Sequence, residues 1–190
     1  MDGARTRAYI LRMKLLSGHE AVAHVKGIQS AKHQVHACSV DLTVKDIWRV
    51  NPIGQLDFGG GEYVPAGRFP VEPHRLRPED NYQWWELDRG CYFVEFNESL
   101  ELSDDEIALI EPDPRTLRTG ATHASVFLRG HTAPLETLFD VLAQHLTLKR
   151  NARISRLRVF QLAKSTTIAS LPPKQKSATP ARKSAKRSRR

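Results

Sequence analysis

His33, His36 and Cys38 have the side-chain types of metal ligands, in the pattern His33-x-x-His36-x-Cys38. Imidazole nitrogen and thiolate sulfur both bind Zn²⁺, but a structural zinc site needs four ligands. No fourth ligand lies at a recognisable spacing from these three. We therefore favour the polar surface of a strand over a metal site, and we predict no metal ligands among the side chains.

A second group, Tyr82-Gln83-Trp84-Trp85, concentrates aromatic side chains. Aromatic rings can form a platform on which nucleobases stack. The alternative is that these rings pack in the core or contact another subunit. The chain has neither a glycine-rich P-loop nor a Gly-x-Ser-x-Gly nucleophile motif. The sequence therefore gives no support for a P-loop nucleotide hydrolase or for a serine hydrolase with a nucleophile elbow.

Short strands must position these side chains. Val40, Leu42 and Val44 alternate with polar residues, which is typical of a half-buried strand. Residues 51–81 are rich in glycine and proline and indicate loops and edge strands. Further short apolar runs lie at 91–96, 107–110, 126–128, 138–142, 146–148 and 154–160. Many short strands at close spacing predict an all-β barrel or jelly roll.

The N-terminal segment has a different pattern. Tyr9, Ile10, Met13, Leu15 and Leu16 could form one short helix, and residues 21–28 suit a strand or a second short helix. We therefore predict a short N-terminal helical segment, and divide the chain into an N-terminal segment (1–34), a β domain (35–164) and a tail (165–190).

The tail carries the excess charge. From Leu171 to Arg190 there are eight basic residues and no acidic ones; without them, 21 of the 29 Lys and Arg remain against 21 Asp and Glu. This composition predicts a disordered basic tail, with non-specific binding of nucleic acid as one use. No apolar run approaches the roughly 20 residues of a membrane span. Two cysteines provide no disulfide framework, which favours a cytoplasmic protein without membrane contact.

Four segments resemble, in order and spacing, the family of dUTP diphosphatases and dCTP deaminases. They are Ser39-Val40-Asp41-Leu42, Gly90-Cys91-Tyr92-Phe93-Val94-Glu95-Phe96-Asn97-Glu98, Leu117-Arg118-Thr119-Gly120 and Asn151-Ala152-Arg153-Ile154-Ser155-Arg156-Leu157. The resemblance is closest to the archaeal-type dUTPases, which add a segment like Gly54-Gln55-Leu56-Asp57-Phe58 after the first motif. The resemblance covers roughly residues 35–162. It implies a dUTPase-like barrel or jelly roll (the β-clip fold), a homotrimer with sites shared between subunits, and Mg²⁺-dependent hydrolysis of dUTP to dUMP and pyrophosphate. In that fold Tyr82 to Trp85 would cover the barrel, which favours core packing or a subunit contact.

The family's phosphate loop reads Arg-Ser-Ser-Leu-x-Arg-x-Gly, in which hydroxyls, backbone N–H groups and arginines surround a triphosphate. In this chain Arg118 and Gly120 match the second arginine and the glycine, while Asp113 replaces the first arginine. A shift by one residue would place Arg115 and Thr116 on the Arg-Ser pair. In both alignments the loop is degraded. By the resemblance, Asp41, Arg115, Thr116, Arg118, Gly120, Phe127 and Gly130 bind the deoxynucleoside triphosphate.

The third motif, Trp-Asp-x-Gly-Tyr in the family, supplies the aspartate that activates water. Here Leu128 or Ala133 occupies the aspartate position, and neither side chain can accept a proton. Glu136 and His131 are the candidate replacement bases, with His123 as a further option.

Two functions stay open. One is a Mg²⁺-dependent dUTP diphosphatase; a dCTP deaminase would need a glutamate within residues 138–142, where only Asp140 is available. The alternative is a catalytically inactive member of the fold that binds nucleotides or associates with nucleic acid.

Overall fold

The computed structural model describes residues 13–51 and 53–162. The basic tail and the first part of the predicted N-terminal helix lie outside these residues. Within them no helix is both long and apolar enough to cross a bilayer.

Strands dominate the described part of the chain, and the all-β prediction is confirmed. The twelve strands described are β1 (Met13–Leu15), β2 (Val25–Lys26), β3 (Val40–Val50), β4 (Arg68–Pro70), β5 (Trp84–Phe96), β6 (Ser99–Glu101), β7 (Glu106–Pro112), β8 (Ala121–His123), β9 (Val126–Leu128), β10 (His131–Thr132), β11 (Glu136–Lys149) and β12 (Arg153–Leu162). Three short α-helices join them, α1 (Gly18–Ala21), α2 (Ala31–Gln34) and α3 (Pro114–Arg118), and a 3-10 helix (Val22–His24) follows α1.

The strands form one large antiparallel sheet and one small one. The large sheet has the order β8-β11-β5-β3-β12-β7-β9, with β1 added to β12 and β4 added to β3. The small sheet has the order β10-β6-β2. The large sheet curls into a half-barrel around an apolar core that includes Val40, Leu42, Trp85, Phe96 and Leu157.

The predicted N-terminal helix is wrong where it overlaps the described residues. Met13–Leu15 is a strand whose residues pair with Leu162, Gln161 and Phe160 of β12. Pairing with β12 outweighs a weak helical spacing of apolar residues. The helical part of this region is α1, whose capping box joins Ser17 and Glu20.

Strand β11 carries an irregularity that positions α3. Its register with β5 shifts between Val141 and His145, which explains why two separate apolar runs form one long strand. Inside this bulge the backbone N–H groups of Leu142 and Ala143 donate to Gly120 O, at 2.8 and 3.0 Å. Gly120 has φ 78°, and a Cβ there would lie 3.0 Å from Ala143 Cβ. Glycine is therefore needed where α3 ends against β11.

Candidate active site

Helix α3 begins directly after strand β7. β7 stops at Pro112, Asp113 is the N-cap, and Pro114 occupies the first helical turn. Ile154 O, in β12, accepts from Asp113 N at 2.9 Å and from the buried Thr116 Oγ1 at 2.8 Å. These bonds fix the start of α3 against β12.

Asp41, in β3, is a buried carboxylate surrounded by cations. Its side chain is 1% exposed, and Oδ2 lies 2.9 Å from His36 Nε2, 3.2 Å from Arg153 Nη1 and 3.6 Å from Arg115 Nη2. Its other oxygen lies 3.8 Å from Arg156 Nε. These contacts supply the partners that a buried polar group needs.

Asp113 is a second buried carboxylate beside the same arginines. It accepts from Arg115 N at 2.8 Å and from Arg115 Nε at 3.0 Å, and it lies 3.0 Å from Arg156 Nη2. Burial opposes its ionisation, but the Arg115 backbone N–H and the guanidinium groups of Arg115 and Arg156 outweigh burial and lower the pKa of Asp113.

We call Arg115, Arg153 and Arg156 the arginine cluster. Three guanidinium groups face two carboxylates, so the arginines are largely neutralised from within the chain. Arg156 is shared between the two carboxylates, because its Nε lies at ion-pair distance from Asp41 Oδ1 and its Nη2 from Asp113 Oδ2. Within the described residues, neither of these two carboxylate oxygens nor Arg156 Nε forms a well-aligned hydrogen bond. Arg115 is the most accessible of the three, with 54% of its side chain exposed.

A third buried carboxylate holds β3 in place. Glu98 Oε1 accepts from Gln34 Nε2 and from Thr43 Oγ1, both at 2.7 Å, and Oε2 accepts from Thr43 N at 2.8 Å. Burial raises the pKa of Glu98. Because Gln34 Nε2 also donates to Asp41 O at 2.9 Å, this network fixes the backbone that carries Asp41.

A cavity of about 340 Å³ adjoins the arginine cluster. Its polar wall includes Arg115, Thr116, Thr119 and Arg153, and its apolar wall comes from β11. Cavities of this size with a few convergent polar groups are typical of small-molecule sites. The lining residues include no Asp, Glu or His.

The structure brings together part of the predicted site. Asp41, Arg115 and Thr116 meet at the arginine cluster, and Gly120 directly follows α3. Arg118, the last residue of α3, is exposed. Phe127 lies in β9, and Gly130 in the turn before β10; neither lines the cavity. Leu128 pairs with Ala108 and packs against the core.

The candidate bases lie elsewhere. Glu136, in β11, forms a two-pronged ion pair with Arg68, whose Nη2 donates to Oε2 at 2.7 Å. His131 is exposed in the small sheet, opposite Glu101. Neither residue lines the cavity.

His123 is buried beside the site. Its Nδ1 is 2.9 Å from Ala124 O, a carbonyl that can only accept, so we assign the proton to Nδ1. Its Nε2 then accepts from Ser155 Oγ at 2.7 Å. Ser155 is fully buried, so this serine–histidine pair is a structural hydrogen bond and not an accessible nucleophile. Burial lowers the pKa of His123.

The residues with metal-ligand types are engaged separately. His36 pairs with Asp41, His33 Nδ1 lies 2.9 Å from Ser30 Oγ, and Cys38 is exposed. Among the residues that the structure describes, no group of three His, Cys, Asp or Glu side chains is arranged to hold a metal.

Arg153, Arg156 and His36 were not predicted as site residues. Arg153 and Arg156 are three residues apart, and because successive side chains of a strand alternate between its faces, regular alternation would place them on opposite faces of β12. A register shift between Arg153 and Ser155 brings both to the same carboxylate. The basic residues around 153–156 were the feature of the sequence that could have indicated Arg153 and Arg156 as site residues.

Comparisons with known proteins match most of the described chain. A family model described as dCTP deaminase-like matches residues 14–162. A probable deoxyuridine 5′-triphosphate nucleotidohydrolase of Methanosarcina acetivorans is 30% identical over 162 residues, covering 79% of this chain and 90% of the relative. A deoxyuridine 5′-triphosphate nucleotidohydrolase of Methanocaldococcus jannaschii is 24% identical over 127 residues, covering 66% and 78%.

One solved structure shows the same fold. The 2′-deoxycytidine 5′-triphosphate deaminase of Agrobacterium tumefaciens superposes with a TM-score of 0.58 at 18% identity, over 78% of this chain. The chain spans about half of that deaminase, 48% of its length.

Proposed function

This chain belongs to the dCTP deaminase-like family, and from that premise we propose that it binds a deoxynucleoside triphosphate, dUTP foremost, and hydrolyses it slowly or not at all. The observation that carries the proposal is the cavity beside the arginine cluster, which offers phosphate donors but no proton acceptor of the Asp, Glu or His type.

Binding is supported by the donors on α3 and β12. Arg115 is half exposed and can turn from the carboxylates towards a phosphate, while Thr116 and Thr119 line the same wall. Guanidinium groups match phosphate oxygens in geometry and charge. One net positive charge remains on the cluster after Asp41 and Asp113 are counted, so an anion is still favoured there.

Slow hydrolysis is supported by the positions of the carboxylates. A general base typically contributes about 10²–10⁴-fold to a rate. The resemblance places Leu128 or Ala133 at the aspartate position of the family. Neither can accept a proton, Leu128 packs against the core, and Glu136 is held by Arg68. The alternative, an active dUTP diphosphatase, would require Glu136 or His131 to reach the nucleotide from a neighbouring subunit.

The residues at the cavity do not suit a Mg²⁺ ion held by the protein. Mg²⁺ binds carboxylates and phosphates, but Asp41 and Asp113 are both engaged by guanidinium groups. We therefore expect nucleotide binding with little dependence on Mg²⁺.

Titration calorimetry with dUTP tests the binding step. Arg115→Ala should weaken binding about tenfold, because a charge-assisted hydrogen bond is lost. Arg89→Ala, an exposed arginine outside the cavity, is the matched control. Equal affinity for the wild type and Arg115→Ala would contradict the proposed site.

A pyrophosphate-release assay, with and without Mg²⁺, tests the catalytic step. Turnover of dUTP at about 1 s⁻¹ or faster, an ordinary enzyme rate, would refute slow hydrolysis. Glu136→Ala and His131→Ala would then identify the base.

A homotrimer is the assembly we infer, by the resemblance and from exposed apolar side chains on two strands. Val126 and Phe127 in β9, and Leu138 and Leu142 in β11, are 42–61% exposed. Covering such side chains stabilises an oligomer. Light scattering should give three times the monomer mass, and Phe127→Glu should dissociate the trimer. Leu76→Glu, at an exposed loop position, is the control; a monomeric wild type at micromolar concentration would contradict the inference.

The basic tail from Leu171 to Arg190 is proposed to add affinity for nucleic acid without sequence preference, because its eight cations can neutralise phosphates. Its deletion should abolish retention on heparin while nucleotide binding persists. Unchanged retention would place the polyanion-binding surface in the remaining chain.

A further inference from the structure

A second cavity, of about 460 Å³, lies between the loop before β5 and the turn that joins β11 to β12. Its lining residues are polar, cationic or aromatic: Arg75, Asn81, Tyr82, Gln83, Arg150 and Asn151. It shares only Asn151 with the lining of the cavity beside the arginine cluster. We call it the loop pocket.

The cations of the loop pocket are not neutralised by acids. Within residues 13–51 and 53–162, neither Arg75, Arg150 nor the adjacent Lys149 has a carboxylate at ion-pair distance. Arg150 Nη1 donates to the neutral Gln83 Oε1 at 3.2 Å. This differs from the arginine cluster, where each guanidinium has an internal carboxylate. The two arginines are therefore available to an external anion.

An aromatic ring stands beside these cations. Tyr82 is 45% exposed and meets Trp84 edge to face, with ring centroids 5.9 Å apart. Lys149 Nζ lies 3.1 Å from the centroid of the Tyr82 ring. A cation covers only one of the two faces of a ring, and together Trp84 and Lys149 hold the ring in a fixed orientation. Trp85, in contrast, is fully buried in the core.

We propose that the loop pocket binds the phosphate and base of a nucleotide, either free or within a single strand of nucleic acid. Arg75 and Arg150 match phosphate oxygens, and the exposed part of Tyr82 offers a surface on which any base can stack. The amide of Asn81 can donate to and accept from the edge of a base, and Asn151, whose Oδ1 accepts from Asn97 Nδ2 at 3.0 Å, can donate through Nδ2. The site is separate from the arginine cluster and does not depend on the nucleotide binding proposed there.

Fluorescence anisotropy tests this with the full chain and a labelled oligothymidylate of about twelve nucleotides. Arg75→Gln and Arg150→Gln should each weaken binding about tenfold. Each should also reduce the slope of log affinity against log salt by about 0.7, the value for one lost phosphate contact on a single strand. Lys32→Gln, an exposed lysine on α2, is the charge-matched control and should leave both quantities near wild type.

Tyr82 variants separate stacking from charge. Tyr82→Ala should weaken binding about fivefold or more without changing the salt slope, whereas Tyr82→Phe should bind as the wild type does. Competition distinguishes the source of the ligand: displacement by dTMP indicates a mononucleotide pocket, and displacement by unlabelled oligothymidylate alone indicates a strand-binding pocket. Wild-type affinity in both arginine variants, or an equal loss in Lys32→Gln, would overturn the proposal.

Discussion

Replacing Asp113 by asparagine removes one buried negative charge and leaves the shape of the side chain. The asparagine oxygen can still cap α3 through Arg115 N, because asparagine is as good an N-cap as aspartate. The contacts with Arg115 Nε and Arg156 Nη2, both 3.0 Å, lose their charge. Each such bond contributes about 1.5–3 kcal/mol when fully buried, and both arginines can partly turn to water. We therefore expect the free energy of unfolding to fall by about 2 kcal/mol.

Urea denaturation of three variants measures this. Asp113→Ala also loses the cap and should cost about 1 kcal/mol more than Asp113→Asn. Asp104→Asn, at an exposed acid, should be close to wild type. The slope of unfolding free energy against urea should not change. If Asp113→Asn matched Asp104→Asn, the network would be worth no more than surface ion pairs, and our account of the site would be refuted.

The same substitution should affect ligand binding in the opposite direction. Asp113 competes with phosphate for Arg115 and Arg156, and its charge repels a triphosphate. Removing a charge a few ångströms from the ligand should strengthen dUTP binding about tenfold in calorimetry. Weaker binding by Asp113→Asn would mean that the carboxylate orients Arg115 for the ligand and does not compete with it.

Three further predictions concern buried titratable groups. Because the pKa of His123 is lowered, below about pH 6.5 the unfolded chain binds a proton that the native chain does not, and stability should fall from pH 7 to pH 5. In thermal denaturation the His123→Gln variant should show a smaller fall over this pH range, and an equal fall would contradict this. Burial and a neighbouring carboxylate raise the pKa of Cys91 to about 12, so iodoacetamide at pH 8 should modify the exposed Cys38 first, and Cys38→Ser should remove the fast phase. Glu98→Gln places an amide N–H against a donor, either Thr43 N or Gln34 Nε2, and should lower the free energy of unfolding by about 2 kcal/mol in urea denaturation. An unchanged midpoint would show that the network adapts.

The strands were predictable where burial follows alternation. Val40, Leu42 and Val44 are buried as their period-two pattern predicted, but Asp41 and Thr43 on the other face are buried as well, so β3 is not half-buried there. The hydrogen bonds of Glu98 and the arginine cluster satisfy these buried polar groups. The predicted pattern failed at Met13–Leu15, because pairing with β12 is a contact between sequence-distant segments. The predicted pattern also divided β11 into two apolar runs, because the bulge between them becomes evident only from the pairing of β11 with β5.

The candidate site was predictable by resemblance only in part. Asp41, Arg115 and Thr116 match family motifs and meet in space. The role of Asp113 follows from the fold, since Arg156 reaches it across the β7–β12 pairing. No local pattern in the sequence encodes such a contact.

The arginine cluster also restricts how this chain can evolve. An arginine at position 113 would place four guanidinium groups around Asp41 alone and remove the cap of α3. Like charges at this distance repel, and the lost N-cap adds to the cost. A basic residue at position 113 would therefore require a compensating change at Arg115 or Arg156. Position 113 is restricted in this way because the arginines around it depend on its negative charge.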